Sequence, residues 1–147
     1  MPTPLRFADF QPGQRFRSAA RTIDAAEIKV FARAFDPQPF HLDETAAAGS
    51  LFGGLAASGW HTAALAMRLN VDGGLPIAGG IIGNAIDALR WPHPVRPGDT
   101  LTSESEVLET IPSTSRPGQG RLRVGCRVVN QEGVEVMSYI ATLVVRG

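Results

Sequence analysis

The chain has 147 residues, 44% of them hydrophobic, which fits a single domain over residues 1–147 with a core of its own. Lys plus Arg and Asp plus Glu both number 14, so no overall positive charge would hold nucleic acid or an anionic membrane. The sequence has neither a signal-peptide pattern nor the ~20 consecutive apolar residues of a membrane span, and we expect a soluble cytoplasmic protein.

A short amphipathic helix is predicted over residues 24–35, DAAEIKVFARAF, with Thr22 or Asp24 as its cap. Its apolar residues follow the i, i+3, i+4, i+7 spacing of one helix face, at Ile28, Phe31, Ala32 and Phe35. Pro37 and Pro39 disfavour helical backbone at the residues before them, so this helix should end near Phe35 and an extended turn should follow. A second helical turn is expected over residues 43–48.

Another helix is predicted from about Gly59 to Val71, with Ser58 as its N-cap. Between Trp60 and Met67 it has no charged residue, and its apolar and alanine positions surround the whole helix. Because such a helix has no polar face for solvent, we expect it to be buried on most sides.

The second half of the chain has the pattern of β-strands, predicted over residues 79–91, 100–110, 120–130 and 134–146, with a further strand near 14–20. The third is the clearest, because its apolar residues alternate with polar ones and include Cys126, the only cysteine. Cys126 should therefore face the core and serve structure. Together these elements predict an α+β fold in which an antiparallel sheet of about five strands wraps around one buried helix.

Asp36 and His41 are the first candidates for chemistry, because Pro37 and Pro39 stiffen the five-residue segment that joins them. Asp36 follows a helix C-terminus, where the helix dipole would raise its pKa, and histidine titrates near neutral pH. The pair could hold and activate one water or divide acid and base work. From spacing alone, the alternative is a turn with solvated polar side chains.

The start of the helix predicted from Gly59 is another candidate, because the N–H groups of a first turn have no partners within the helix. Gly59 would let a ligand approach them, and a carbonyl oxygen that gains negative charge would be stabilised there. The alternative is a serine cap at Ser58 followed by a glycine chosen for packing. His61 is either a second polar group of this site or a hydrogen-bonded core histidine.

The segment RWPHPVRPGDTL, residues 90–101, contains Arg90 and Arg96, which could meet phosphate groups, although exposed arginines beside a turn are common. The Gly-Gly pairs match neither a Walker motif nor the dinucleotide-binding GxGxxG motif, so nucleotide hydrolysis and dinucleotide redox chemistry have no support. Three scattered histidines and one cysteine do not form a zinc-site pattern.

Three stretches in this order, FARAFDPQPFHLDETAAA, LFGGLAASGW and PVRPGDTL, resemble the MaoC-like dehydratases, a family that includes (R)-specific enoyl-CoA hydratases. The resemblance runs from about residue 16 to the C-terminus and implies the hot-dog fold, an antiparallel sheet wrapped around a long helix. The family's Asp-x-Asn-Pro-x-His motif is matched at Asp36, Pro39 and His41, with Gln38 in place of the asparagine. By this resemblance, Asp36 and His41 hold the water that adds to C3 of a 2-enoyl thioester or leaves it.

The family's helix-opening His-Gly corresponds to Ser58-Gly59, so the resemblance implies that the Gly59 N–H polarises the thioester carbonyl. It also implies a lyase without metal or redox cofactor, acting on an acyl-CoA or related acyl thioester, and a homodimer or higher homo-oligomer. The expected substrate-binding residues are Gln38, Ser58, Trp60, Arg90 and Arg96. Two other activities remain open: a thioesterase, although residues 60–70 lack the acidic residue usual in that class, and a non-catalytic acyl-thioester-binding subunit.

Overall fold

Six strands form one antiparallel sheet in the computed structural model, which describes residues 3–147. The strands are β1 (Arg15–Arg17), β2 (Arg21–Thr22), β3 (Ile82–Arg90), β4 (Thr100–Pro112), β5 (Gly120–Val129) and β6 (Glu135–Val145). Their order is β1-β4-β5-β6-β3, and β2 also pairs with β4. The four long strands lie within the predicted ranges to within three residues, and the predicted antiparallel sheet is confirmed.

The N-terminal strand predicted over residues 14–20 is divided into β1 and β2, which raises the strand number from the expected five to six. Ser18 lies between the two strands and bonds to Ser103 of β4 twice. Its N–H donates to the Ser103 carbonyl oxygen at 2.9 Å, and its hydroxyl oxygen accepts the Ser103 N–H at 2.8 Å. Because a side chain replaces one backbone partner here, the regular ladder is interrupted.

Four α-helices precede β3: α1 (Ala25–Phe35), α2 (Pro39–Leu42), α3 (Glu44–Ala48) and α4 (Gly59–Leu69). The side chain of Asp24 caps α1 by accepting the Glu27 N–H at 2.8 Å, as predicted. The expected extended turn is present at residues 36–38, with Gln38 in extended conformation, and the short α2 follows it. It begins at Pro39, whose fixed φ and missing N–H suit the first position of a helix. None of the helices in residues 3–147 combines the length and apolar character needed to cross a membrane.

Helix α4 packs against the sheet with one face, which contains His61, Thr62, Leu65, Ala66 and Leu69. On its other side, Trp60 is 60% exposed and Met67 is 46% exposed. The prediction that this helix is buried on most sides was therefore wrong for the single chain, because the sheet covers it from one side only.

The buried side chains form two clusters on the helix side of the sheet, and Tyr139 of β6 contacts both. Between the clusters lies a small buried polar set, in which the Ser103 hydroxyl donates to Asn70 Oδ1 at 2.8 Å. Asn70 follows α4 directly and opens the π-helical turn Asn70–Gly74. Cys126 lies beside Ser103, with its Sγ 3.3 Å from the hydroxyl oxygen, and its predicted core position is confirmed. This set joins the end of α4 to β4.

Candidate active site

Asp36 and His41 face each other in a largely buried position at the end of α1. Asp36 is the residue after α1, and its N–H donates to the Ala32 carbonyl oxygen at 2.8 Å. His41 lies on α2, where its Nε2 is 3.3 Å from Asp36 Oδ2. The side chains are 5% exposed for His41 and 17% exposed for Asp36. The segment with the two prolines therefore brings together the two groups that the sequence singled out.

The tautomer of His41 is set by its second ring nitrogen. Nδ1 lies 2.6 Å from the carbonyl oxygen of Ala56, and because a carbonyl oxygen can only accept, Nδ1 must carry the proton. In the neutral ring, Nε2 is then an acceptor that faces the Asp36 carboxylate, itself an acceptor. Two acceptors this close suit a molecule that donates two hydrogens, as water does.

The Asp36 carboxylate is held in its ionised form. Burial raises the pKa of Asp36, but hydrogen bonding to Ser58 and Gln38, and the charge of the His41 ring in its protonated form, together hold that pKa below its ordinary value of 3.8. The sequence-based expectation of a raised pKa was therefore wrong in direction, because hydrogen bonding and charge together outweigh the effect of burial. At neutral pH Asp36 is suited to accept hydrogens.

The first turn of α4 leaves one backbone donor for a ligand. Ser58 satisfies the three donors that follow Gly59: its Oγ accepts the Trp60 N–H at 3.3 Å, and its carbonyl oxygen accepts the N–H groups of His61 and Thr62 at 3.0 and 3.1 Å. Ser58 is thus the predicted N-cap. The Gly59 N–H has no acceptor within residues 3–147. Ser58, the residue before Gly59, is one of the groups that lower the pKa of Asp36.

The missing Cβ of Gly59 makes room for Trp91, which follows β3. A Cβ built on Gly59 would lie 2.7 Å from Trp91 Cε2 and 2.9 Å from Nε1, closer than real Cβ atoms approach. The Trp91 Nε1–H also donates to the Gly59 carbonyl oxygen at 2.9 Å. Trp60 meets Trp91 edge to face, with 5.2 Å between ring centroids. The Cβ side of Gly59 is filled by an indole, and the predicted approach of a ligand to the Gly59 N–H stays a prediction.

Arg96 lies against the loop before α4. Its guanidinium donates to the carbonyl oxygens of Phe52, Gly54 and Leu55, at 2.8 Å for Gly54 and 3.3 Å for Leu55. The next residue in this loop is Ala56, whose carbonyl oxygen accepts the hydrogen bond from His41 Nδ1. Arg96 is therefore engaged with protein backbone and supports the segment that orients His41.

Arg90 is exposed at the end of β3 and lines a hollow of about 830 Å³ with Arg15, Arg17 and Arg127. Arg127 alternates with the core-facing Cys126, so this hollow lies on the sheet face opposite the helices. It contains neither Asp36 nor His41, and the structure does not bring Arg90 into the Asp36–His41 pair.

His61 is a core histidine that lacks the expected hydrogen bond. It is 7% exposed and stacks on Phe31, with 4.6 Å between ring centroids and 4° between ring planes. Its Nδ1 is buried without a partner in the described part of the chain. Burial lowers the pKa of His61, and the charges of Glu27 and Arg21 act on it in opposite directions.

Sequence reasoning missed two contributors to the site, the Ala56 carbonyl and Trp91. A backbone carbonyl has no residue-type signal, because any amino acid supplies one. Trp91 could have been found only through its partner Gly59, which lies 32 residues earlier.

Comparison with known proteins shows the same family over most of the chain. A sequence model described as "MaoC like domain" matches residues 9–130. The uncharacterized protein YdeM of Bacillus subtilis is 33% identical over 132 residues, which cover 90% of this chain and 92% of that protein. The (R)-specific enoyl-CoA hydratase of Rhodospirillum rubrum is 33% identical over 112 residues, 72% of either chain.

The crystal structure of a MaoC-like dehydratase from Rhodospirillum rubrum has the same fold, with a TM-score of 0.94 and 54% sequence identity over 97% of both chains. The hot-dog fold predicted from the sequence is thereby confirmed. In this single chain the sheet is open and covers α4 from one side only. The chain belongs to the MaoC-like dehydratase family.

Proposed function

We propose that the protein is a hydratase or dehydratase that interconverts 2-enoyl-CoA and 3-hydroxyacyl-CoA thioesters. The observation that carries this proposal is the pairing of two hydrogen-bond acceptors, His41 Nε2 and Asp36 Oδ2, at 3.3 Å. The (R)-specific enoyl-CoA hydratase among the relatives supports the same reaction class.

In the hydration direction, a water donates one hydrogen to Asp36 and the other to His41, which leaves a lone pair of its oxygen directed at C3 of the enoyl group. As the C3–O bond forms, the pair takes up one proton of the water. Negative charge passes to the thioester oxygen, where the Gly59 N–H stabilises it. Return of the proton from the pair to C2 completes the addition and restores both residues. Dehydration follows the same steps in reverse.

The remaining predicted site residues have different roles in this proposal. Gln38 and Ser58 bond to the Asp36 carboxylate and hold it in place. Trp60 is exposed at the start of α4, next to Gly59, and we assign it to contact with the bound thioester. Arg90 lines the hollow on the other face of the sheet, so its contact with the phosphates of CoA stays a prediction from the sequence. Arg96 acts through the loop that carries Ala56.

A panel of enoyl thioesters tests the proposal. We expect the protein to decrease the absorbance of crotonyl-CoA or of a longer, branched or dicarboxylic enoyl-CoA as water adds to the double bond. Release of free CoA from a saturated acyl-CoA would identify a thioesterase instead. Tight binding of acyl-CoA without turnover of any enoyl substrate would identify a non-catalytic binding subunit.

We also propose that the protein acts in the cytoplasm as a single-domain homodimer. Strand β3 is an edge of the sheet, and its backbone has no neighbour on one side within residues 3–147. Ile82 and Ile86 on this strand are 58% and 53% exposed. Pairing of two β3 edges would satisfy the free backbone groups and cover these side chains. Size-exclusion chromatography with light scattering should give twice the chain mass, and a strict monomer would contradict the proposal.

A further inference from the structure

Trp91 occupies a position at the candidate site that neither the hydration chemistry nor the sequence motifs account for. Its indole fills the space where a Cβ of Gly59 would lie, and its Nε1–H bonds to the Gly59 carbonyl oxygen at 2.9 Å. Gly59 is therefore held on two sides: by the hydroxyl and carbonyl of Ser58, which cap the helix turn, and by the indole of Trp91.

The backbone that delivers Trp91 to this position is irregular. Asp87 pairs with Ile140 and Arg90 pairs with Ser138, so that β3 contains one more residue than β6 between these pairs. Within this bulge, Ala88 has a φ of 53°, a left-handed conformation that is unfavourable for a residue with a Cβ. Such a conformation persists only where the surrounding structure determines it, and here it turns the end of β3 towards the start of α4.

From these contacts we infer that Trp91 is a positioning residue. Its indole packs where a Cβ of Gly59 would lie and bonds to the carbonyl of the following peptide, and it thereby restrains the backbone at Gly59 with the Gly59 N–H directed at the thioester oxygen. This inference rests on the proposed function. A donor to an oxyanion acts only if its direction is fixed before the charge develops. The first turn of a helix is also the part in which backbone groups have the fewest partners. The Ser58 carbonyl holds the peptide that carries this N–H, and the indole restrains the other side of Gly59 by contact and by one hydrogen bond.

The two indole contacts can be separated by substitution. Trp91→Phe keeps an aromatic ring against Gly59 and removes the Nε1–H, whereas Trp91→Ala removes both. If the indole acts on the transition state, kcat should fall while KM for the enoyl thioester changes little. We expect a fall in kcat on the order of 10²-fold for Trp91→Ala, the size of effect that a misplaced catalytic group produces, and a smaller fall for Trp91→Phe.

A matched control is Leu108→Ala, because Leu108 is 43% exposed and Trp91 is 40% exposed, while Leu108 lies on β4 away from the site. This variant should retain the kcat and KM of the wild type. Equal losses in Leu108→Ala and Trp91→Ala, or wild-type kcat in both Trp91 variants, would overturn the inference.

A second measurement does not depend on turnover. The chain has two tryptophans, so Trp60→Phe leaves Trp91 as the sole indole. Butyryl-CoA, which has no double bond to hydrate, should change the fluorescence of this variant saturably if a thioester binds beside Gly59. A flat titration with butyryl-CoA would overturn the inference.

The two proposals can fail separately. A saturable fluorescence change in a protein that hydrates no enoyl-CoA would refute the hydratase while supporting the position of Trp91 at a thioester site. Active enzyme with unaffected Trp91 variants would refute the role of Trp91 and leave the hydratase standing. If Trp91→Ala fails to fold, Trp91→Phe and the fluorescence titration decide the matter.

Discussion

The side-chain amide of Gln38 donates a hydrogen bond of 2.6 Å to Oδ1 of Asp36, two residues away. The MaoC-like motif has an asparagine at this position, and the glutamine side chain is longer by one methylene. The structure shows that it reaches the carboxylate, and this bond is one of the causes that lower the pKa of Asp36.

Replacement of Gln38 by alanine should therefore shift the acid limb of the activity profile. Because the lost bond favours the ionised carboxylate, its removal raises the pKa of Asp36, and activity should begin to fall at a higher pH as the solution is acidified. The pH dependence of kcat/KM for an enoyl thioester measures this shift. Gln38→Asn serves as the comparison, and an unmoved acid limb in Gln38→Ala would show that the amide does not act on Asp36.

Asp36→Asn and His41→Ala should each remain folded and lose turnover by about 10²-fold to 10⁴-fold, the range typical of a missing general acid or base. Steady-state kinetics on the best enoyl-CoA, with circular dichroism for the fold, test this. Asp72→Asn is the control, because Asp72 is 53% exposed and its one ion pair among residues 3–147 is with Arg68 on the surface. Full activity in either site variant would remove that residue from the mechanism.

Gly59→Ala should reduce both stability and turnover, because the new Cβ would meet the Trp91 indole at 2.7 Å. Overpacking of this kind costs about 1–3 kcal/mol in the free energy of unfolding. Gly125→Ala is a suitable comparison, since its Cβ would make an ordinary contact of 3.5 Å with Leu108. Thermal denaturation of both variants should show a lower Tm for Gly59→Ala than for Gly125→Ala.

Arg96→Met should lower the free energy of unfolding by roughly 2–3 kcal/mol, because it leaves the carbonyl oxygens of the loop before α4 without their charged donor. Urea denaturation measures this loss. Arg116→Met is the control on an exposed loop and should be close to neutral. A phosphate-binding role for Arg96 would instead raise KM for acyl-CoA with little change in stability.

His61→Phe should make stability less dependent on pH. The folded pKa of His61 lies below 6.5, so the contribution of the neutral ring is complete above pH 6.5 and is lost as the pH falls through the folded pKa. Phenylalanine keeps the stack on Phe31 and has no proton to gain. Between pH 7 and pH 5, the fall in Tm should be smaller for this variant than for the wild type, and an equal fall would contradict the assignment.

Short sequence patterns predicted those features of the fold and the site that depend on residues close together in the chain. The alternation in β5, the cap at Asp24 and the pairing of Asp36 with His41 all arise within a few residues of sequence, and the structure has each of them. The pKa of Asp36 was predicted in the wrong direction because Ser58, 22 residues away, bonds to it. The exposure of Trp60 and Met67 likewise depends on where the sheet ends.

Helix α4 has Gly59 at its first residue and ends at Leu69, directly before the buried Asn70. Eleven residues of α-helix are about 16 Å long, and each residue turns the helix by about 100°. Because Asn70 is fixed by its hydrogen bond with Ser103, the number of residues in α4 determines the direction of the Gly59 N–H at the other end of the helix. Insertion or deletion of a single residue within α4 would change the direction of that N–H by about 100° relative to Asn70, without changing any residue of the Asp36–His41 pair.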